Sequence, residues 1–183
     1  AYEVYSMVLL ISSFSLPLAV SKLVSARMAA GQPKAAYKIF KCTLTFALVS
    51  GGIGALLIFC GAGFFSDVLV NTPESKLALQ VLAPTILVVA VMGCMRGYFQ
   101  GLGTMVPTAV SQIVEQIINA AVSIGAAYVL FHYGLKIDAV LGTKTAAYAY
   151  GAAGSTLGTG LGALSGLLFL AFLVRSEERR VGK

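Results

Sequence analysis

Residues 96–123 read Arg96-Gly-Tyr-Phe-Gln-Gly-Leu-Gly-Thr-Met-Val-Pro-Thr-Ala-Val-Ser-Gln-Ile-Val-Glu-Gln-Ile-Ile-Asn-Ala-Ala-Val-Ser123, and this stretch decides how the chain folds. A glycine-rich turn headed by a cation leads through Pro107 into an apolar run with a carboxylate, Glu115, well inside it. Apolar runs of about 20 residues are candidates to cross a bilayer. A carboxylate inside one is costly enough to stand as a functional hypothesis by default.

Working outward, the whole chain has the same character. Its 183 residues are 58% hydrophobic and only 11% charged, whereas an average soluble domain is about 25% charged. With a mean hydropathy of +0.88, 20 glycines and no tryptophan, the composition is that of an all-α, polytopic transmembrane helix bundle. The net charge of +6 sits between apolar runs, which suits a cytoplasmic membrane surface. No basic patch interleaved with aromatics is present, so nucleic acid is not an expected partner. Nothing at the start resembles a cleavable signal peptide.

Five spans are expected, at about residues 4–24, 35–65, 77–95, 106–131 and 145–174. Pro17 would kink the first, with Ser6, Ser12, Ser13, Ser15 and Ser21 available to satisfy freed backbone groups, as either an ordinary packing helix or a cavity-lining helix whose kink helps gating. Connections fall at Gly31-Gln32-Pro33, at Asn71-Thr72-Pro73-Glu74, at residues 97–105 and at 132–144, the last holding Lys136, Asp138 and Lys144. Lys22, Arg27, Lys34, Lys38 and Lys41 crowd the first connection, Arg96 marks the third, and Arg175, Arg179, Arg180 and Lys183 end the chain. The opposite side carries Lys76, Lys136 and Lys144. The positive-inside rule therefore puts the first group in the cytoplasm and the amino end outside, so a further span upstream is expected. Residues 176–183 shift abruptly to charged composition; they read either as a natural cytoplasmic loop or as a non-native scar, and are set outside the fold.

Taken as a helix, the fourth span puts Thr108, Ser111, Gln112, Glu115, Asn119 and Ser123 on one face, at spacings of three and four. Lipid cannot satisfy such a stripe, so it faces the bundle interior or water. Glu115 would lie about 15 Å deep at 1.5 Å per residue. Two readings stay open: an interhelical hydrogen-bonded patch, or a hydrated cavity in which Glu115 meets substrate or a coupling ion. Arg96 and Lys22 are the nearest candidate cations, either facing an anionic headgroup or snorkelling to the surface. Gly154, Gly158, Gly162 and Gly166 recur every fourth residue along the fifth span and form a smooth face for tight packing, with a flexible gate as the alternative.

Enzymatic chemistry finds little footing. The single histidine, His132, is interfacial, and no His-Glu-x-x-His, Gly-x-Ser-x-Gly or phosphate loop is present. Cys42, Cys60 and Cys94 form no Cys-x-x-Cys pair and read as small packing residues. No metal or cofactor is expected.

The turn from Arg96 to Gly103, followed by Met105-Val106-Pro107-Thr108-Ala109 and Ser111-Gln112-x-x-Glu115-Gln116, resembles a signature of polysaccharide-biosynthesis flippases. The resemblance is to the stage V sporulation protein B type, relatives of the MurJ-like lipid II flippases. Leu16-Pro17-Leu-Ala-Val-Ser21-Lys22 and Ser25-Ala-Arg27 are similar to the same group, and multidrug exporters of the MATE type carry a related turn. The resemblance covers residues 1–174. It implies one lobe of a larger two-lobed transporter of the bacterial cytoplasmic membrane, spanning it several times and working by alternating access. The implied substrate is an undecaprenyl-pyrophosphate-linked sugar or peptidoglycan precursor moved outward, with Arg96, Lys22 and Arg27 as anion-facing candidates. The other expected partners are membrane lipids and the second lobe of the same chain. A cation-coupled multidrug exporter, with Glu115 as its cation or proton site, is the alternative within transport. A non-transporting scaffold of envelope synthesis is the alternative outside it.

Overall fold

The computed structural model describes residues 17–64, 75–141 and 145–181. Among these residues the chain is helical throughout, with no strand: α1 over 17–29, α2 Pro33–Phe64, α3 Ser75–Gly101, α4 Val106–Leu141 and α5 Ala146–Val181. Four of these helices are long and apolar enough to cross a membrane, over Pro33–Gly61, Leu79–Gly101, Val106–Val140 and Ala146–Glu177. Most of the first expected span, the Asn71–Glu74 turn and Lys144 lie outside the described residues.

Two connections use the same device. At the end of α1 the chain turns at Gly31, with φ 69°. There the Gly31 N–H donates to the Met28 carbonyl at 3.0 Å and the Gln32 N–H to the Arg27 carbonyl at 3.0 Å. At the end of α3, Gly103 has φ 81°, its N–H donates to Gln100 at 3.0 Å, and the Thr104 N–H donates to Phe99 at 3.1 Å. Both are Schellman closures, in which a left-handed glycine lets orphan carbonyls be satisfied. A proline then sits in the first turn of the next helix, Pro33 in α2 and Pro107 in α4, where a missing N–H costs nothing.

Helix α3 is the centre of the bundle. It packs on α2 along one side and α5 along another, while α4 runs chiefly along α5 and touches α3 little. The core joins Val20 and Val24 of α1, Phe40 of α2, Met92, Cys94, Tyr98 and Phe99 of α3, and Leu170 of α5. Phe40 and Tyr98 stack at 4.5 Å between ring centroids.

Three expected boundaries are corrected. The third span does not end at 95, because α3 continues to Gly101 and the connection shrinks to residues 102–105. Gly97 and Gly101 are helix positions, not turn positions, and with Gly93 they form a second small-residue face. A Cβ at Gly97 would lie 2.5 Å from the Pro17 carbonyl oxygen, and one at Gly101 would lie 2.6 Å from Val24 Cβ. The fourth span likewise runs past 131, so His132, Lys136 and Asp138 are helical. At 1.5 Å per residue a 35-residue span outruns the ~30 Å hydrocarbon core, so its polar end projects beyond it. Finally, α5 continues to Val181 through the charged residues the sequence sets outside the fold. Glu and Arg propagate a helix well.

Asp138 explains how α4 and α5 meet. Its carboxylate accepts the Ala146 N–H at 3.0 Å and the Ala147 N–H at 2.9 Å. It thus caps α5 from within α4 and places an anion at the positive end of the helix dipole. Asp138→Ala is expected to lower stability by ~1–2 kcal/mol, the usual cost of losing a cap. Asp138→Asn should recover part of that. Thermal unfolding of the membrane-reconstituted protein measures both.

Candidate functional site: the α3–α4–α5 seam

The polar stripe of α4 meets its partners at a junction of three helices. Arg96 projects from α3, slightly more than one turn before the Schellman closure, and Glu115 from α4. The Arg96 Nη2 donates to Glu115 Oε2 at 2.6 Å, and the two side chains are only 15% and 17% exposed. Arg96 Nε donates to Ser111 Oγ at 3.1 Å, and Ser111 Oγ donates to the Thr108 carbonyl at 2.7 Å. The guanidinium is therefore held at two of its edges, by a carboxylate and a hydroxyl whose own proton is already engaged. Its remaining donors are uncommitted by these bonds. Thr108 is buried, and its Oγ1 has no hydrogen-bond partner.

The other wall is the glycine face of α5. A Cβ at Gly166 would meet Met92 Sδ at 3.1 Å and the Ser111 carbonyl oxygen at 3.4 Å. At Gly162 it would meet the Glu115 carbonyl oxygen at 2.8 Å and Asn119 Cβ at 2.9 Å. At Gly158 it would meet the Ser123 backbone nitrogen at 2.5 Å, and at Gly154 the Ala126 carbonyl oxygen at 2.6 Å. The polar stripe and the glycine stripe are the two faces of one contact. Small residues let the α5 backbone approach closely enough that polar groups on α4 find partners and not lipid. Ser123 Oγ shows this: it lies 2.9 Å from both Asn119 Oδ1 and the Ser155 carbonyl oxygen.

Of the residues expected at the site, Thr108, Ser111, Glu115 and Asn119 lie in this seam, with Arg96 joined to it. Gln112 does not, because its side chain is exposed. At that level of α4 the contact lies on the Ser111 side, where α3 supplies Arg96. Lys22 and Arg27 are exposed on α1, and Arg27 makes a long 3.5 Å bond to Gln32 Oε1. Sequence reasoning overlooked the α3 glycine face, the Asp138 cap and Ser155. The four-residue spacing of Gly93, Gly97 and Gly101 is the signal that could have revealed the first. Among the described residues no group of three or more His, Cys, Asp or Glu is placed to hold a metal.

A family model described as polysaccharide biosynthesis protein matches residues 1–175. The chain belongs to this family. Among its relatives, the lipid II flippase MurJ of Bacillus subtilis (strain 168) is 31% identical over 164 residues, covering 84% of this chain and 30% of the relative. Stage V sporulation protein B of the same organism is 28% identical over 160 residues, covering 87% and 28%. The probable multidrug resistance protein NorM of Idiomarina loihiensis is 27% identical over 175 residues, covering 93% and 35%. No solved structure matches the chain. The chain thus spans about a third of the length of the curated relatives it matches. Membership and the apolar spans make it a multi-pass protein of the bacterial plasma membrane, in a family whose matched relatives include one named a lipid II flippase and one named a probable multidrug resistance protein.

Proposed function

We propose that this chain forms part of one lobe of a flippase that moves an undecaprenyl-pyrophosphate-linked oligosaccharide or peptidoglycan precursor outward across the plasma membrane. What supports this reading is an arginine held in a membrane seam yet still partly exposed. Arg96 is oriented by Glu115 and Ser111, with donors to spare. A planar guanidinium of this kind suits bidentate recognition of phosphate oxygens. The precursor's pyrophosphate would exchange with Glu115 for the guanidinium. Thr108, its hydroxyl unpaired nearby, is a further donor to an arriving anion. The choice of lipid-linked precursor draws on the likeness to MurJ. A second lobe, alternating with this one about the midplane, would complete the path.

Cation-coupled drug export is the second reading, supported by the likeness to NorM and by a mid-span carboxylate. The Arg96 pairing weighs against it, since a cation would have to displace an arginine already 2.6 Å from Glu115. The test uses the full-length protein in proteoliposomes and follows outward movement of labelled lipid-linked precursor. At equal amounts of folded protein, Arg96→Ala and Glu115→Gln should each slow flipping by about ten-fold or more, the worth of a charged hydrogen bond of 1.5–3 kcal/mol. Normal flipping in both variants would remove the site assignment. Efflux of a cationic dye that depends on Glu115 would favour export.

A further inference from the structure

Helices α1 and α2 diverge from the Gly31 turn and leave a groove of about 540 Å³ between them, open along one side. It is lined by Leu23 and Arg27 of α1 and by Ala35, Lys38, Ile39, Cys42 and Thr43 of α2. The lining is ordered along its length. Arg27 and Lys38, one on each wall, stand towards the turn, and Leu23, Ile39 and Cys42 continue inward. Thr43 adds no free polar group, because its hydroxyl donates within α2 to the Ile39 and Phe40 carbonyls at 2.9 and 3.0 Å. Neither Arg27 nor Lys38 has a carboxylate partner among the described residues. Beyond Cys42 the same face of α2 continues as Phe46, Val49, Ile53 and Leu56, at spacings of four and three, all more than half exposed. The groove therefore has a cationic mouth and an apolar floor that runs out onto an exposed apolar helix face.

We propose that this groove binds an anionic phospholipid of the surrounding bilayer, its phosphate between Arg27 and Lys38 and one acyl chain along Leu23, Ile39, Cys42 and Phe46. Charge complementarity selects an anionic head, since two cations with no carboxylate partner among the described residues, at a membrane surface, attract one. Continuity with the exposed α2 face selects a bilayer lipid over transported cargo. The groove lies on the α1–α2 side of α3, whereas the Arg96–Glu115 seam lies where α3 meets α4 and α5. The inference stands independently of the proposed transport function.

The experiment uses the full-length protein in nanodiscs carrying phosphatidylglycerol or phosphatidylcholine with a photoactivatable acyl chain, and maps crosslinked peptides by mass spectrometry. Phosphatidylglycerol should label residues 35–49 several-fold more than phosphatidylcholine. Arg27→Gln with Lys38→Gln should cut that preference by about ten-fold or more, because each basic residue near an anionic surface contributes about five-fold. Cys42→Phe, which fills the groove without changing charge, should also abolish the labelling. Lys22→Gln with Lys34→Gln removes the same charge outside the groove and should leave most of it. Equal loss in both charge pairs, or labelling unaffected by Cys42→Phe, would mean diffuse attraction and overturn the site. Displacement by undecaprenyl pyrophosphate at sub-stoichiometric ratio to phosphatidylglycerol would assign the groove to cargo and overturn the choice of occupant.

Discussion

Truncating either partner of the seam, Arg96→Ala or Glu115→Ala, is expected to destabilise the full-length protein by about 2–4 kcal/mol, somewhat below the cost for a fully buried pair, because each leaves the other charge mostly shielded from water and unpaired. The two side chains are 15% and 17% exposed, and neither lipid nor the glycine face of α5 can replace the lost partner. Replacing both with apolar residues of similar volume, Arg96→Met with Glu115→Leu, should recover most of the loss, since well-packed apolar residues often match a buried pair in stability. Unfolding of the reconstituted protein measures all three variants. Transport separates the roles. The doubly apolar protein should be stable and yet fail to flip, because stability needs only a matched seam whereas phosphate recognition needs the guanidinium. If it is stable and flips normally, the pair is packing alone.

The second large effect lies on the opposite wall. Gly158→Val would set a branched side chain against the Ser123 backbone, where the nitrogen is 2.5 Å and the Cα 2.7 Å from the site of a Cβ. Backbone cannot rotate away as a side chain can, so α5 must separate from α4. Overpacking usually costs 1–3 kcal/mol, and here about 3 kcal/mol or more is expected because the whole contact parts. The separation would also strip Ser123 of the Ser155 carbonyl oxygen. Gly52→Ala and Gly125→Ala are the controls. A Cβ meets nothing within 4 Å at either position, and removing glycine from a helix interior should stabilise by about 0.5–1 kcal/mol. Folded yield and melting temperature should separate Gly158→Val sharply from both.

These residues also show how far the sequence could be read. The helical class followed from composition, because a chain this apolar must satisfy its backbone internally. The stripe from Thr108 to Ser123 followed from spacing, because three and four residues always share a helix face. Spacing could not say what the stripe faces, since the register between α4 and α5 is a tertiary fact. Gln112 illustrates the cost: its spacing admits it to the stripe, yet the neighbours at that level approach from the Ser111 side. The glycines of α3 failed differently. Gly97, Gly101 and Gly103 stand close together in sequence, but only Gly103 adopts positive φ, while the other two admit α1. A glycine in sequence signals either a turn or a close approach, and only the arrival of the second helix distinguishes them. Asp138 was read as part of a polar connection because its partners, the amides of Ala146 and Ala147, belong to the next helix.

Solvent accessibility along α4 tests most directly whether its polar face is a closed seam with only the Arg96–Glu115 edge open. In full-length protein with Cys42, Cys60 and Cys94 changed to alanine, single cysteines would be placed by Ser111→Cys, Ser123→Cys and Met105→Cys. Their reaction with a membrane-impermeant cationic thiol reagent is then followed in inside-out vesicles. Met105 is 72% exposed in the α3–α4 connection and Ser111 is fully buried. Met105→Cys should react fast, and Ser111→Cys and Ser123→Cys at least ten-fold more slowly. Comparable rates at all three positions would show a water-filled cavity along α4 and contradict the seam.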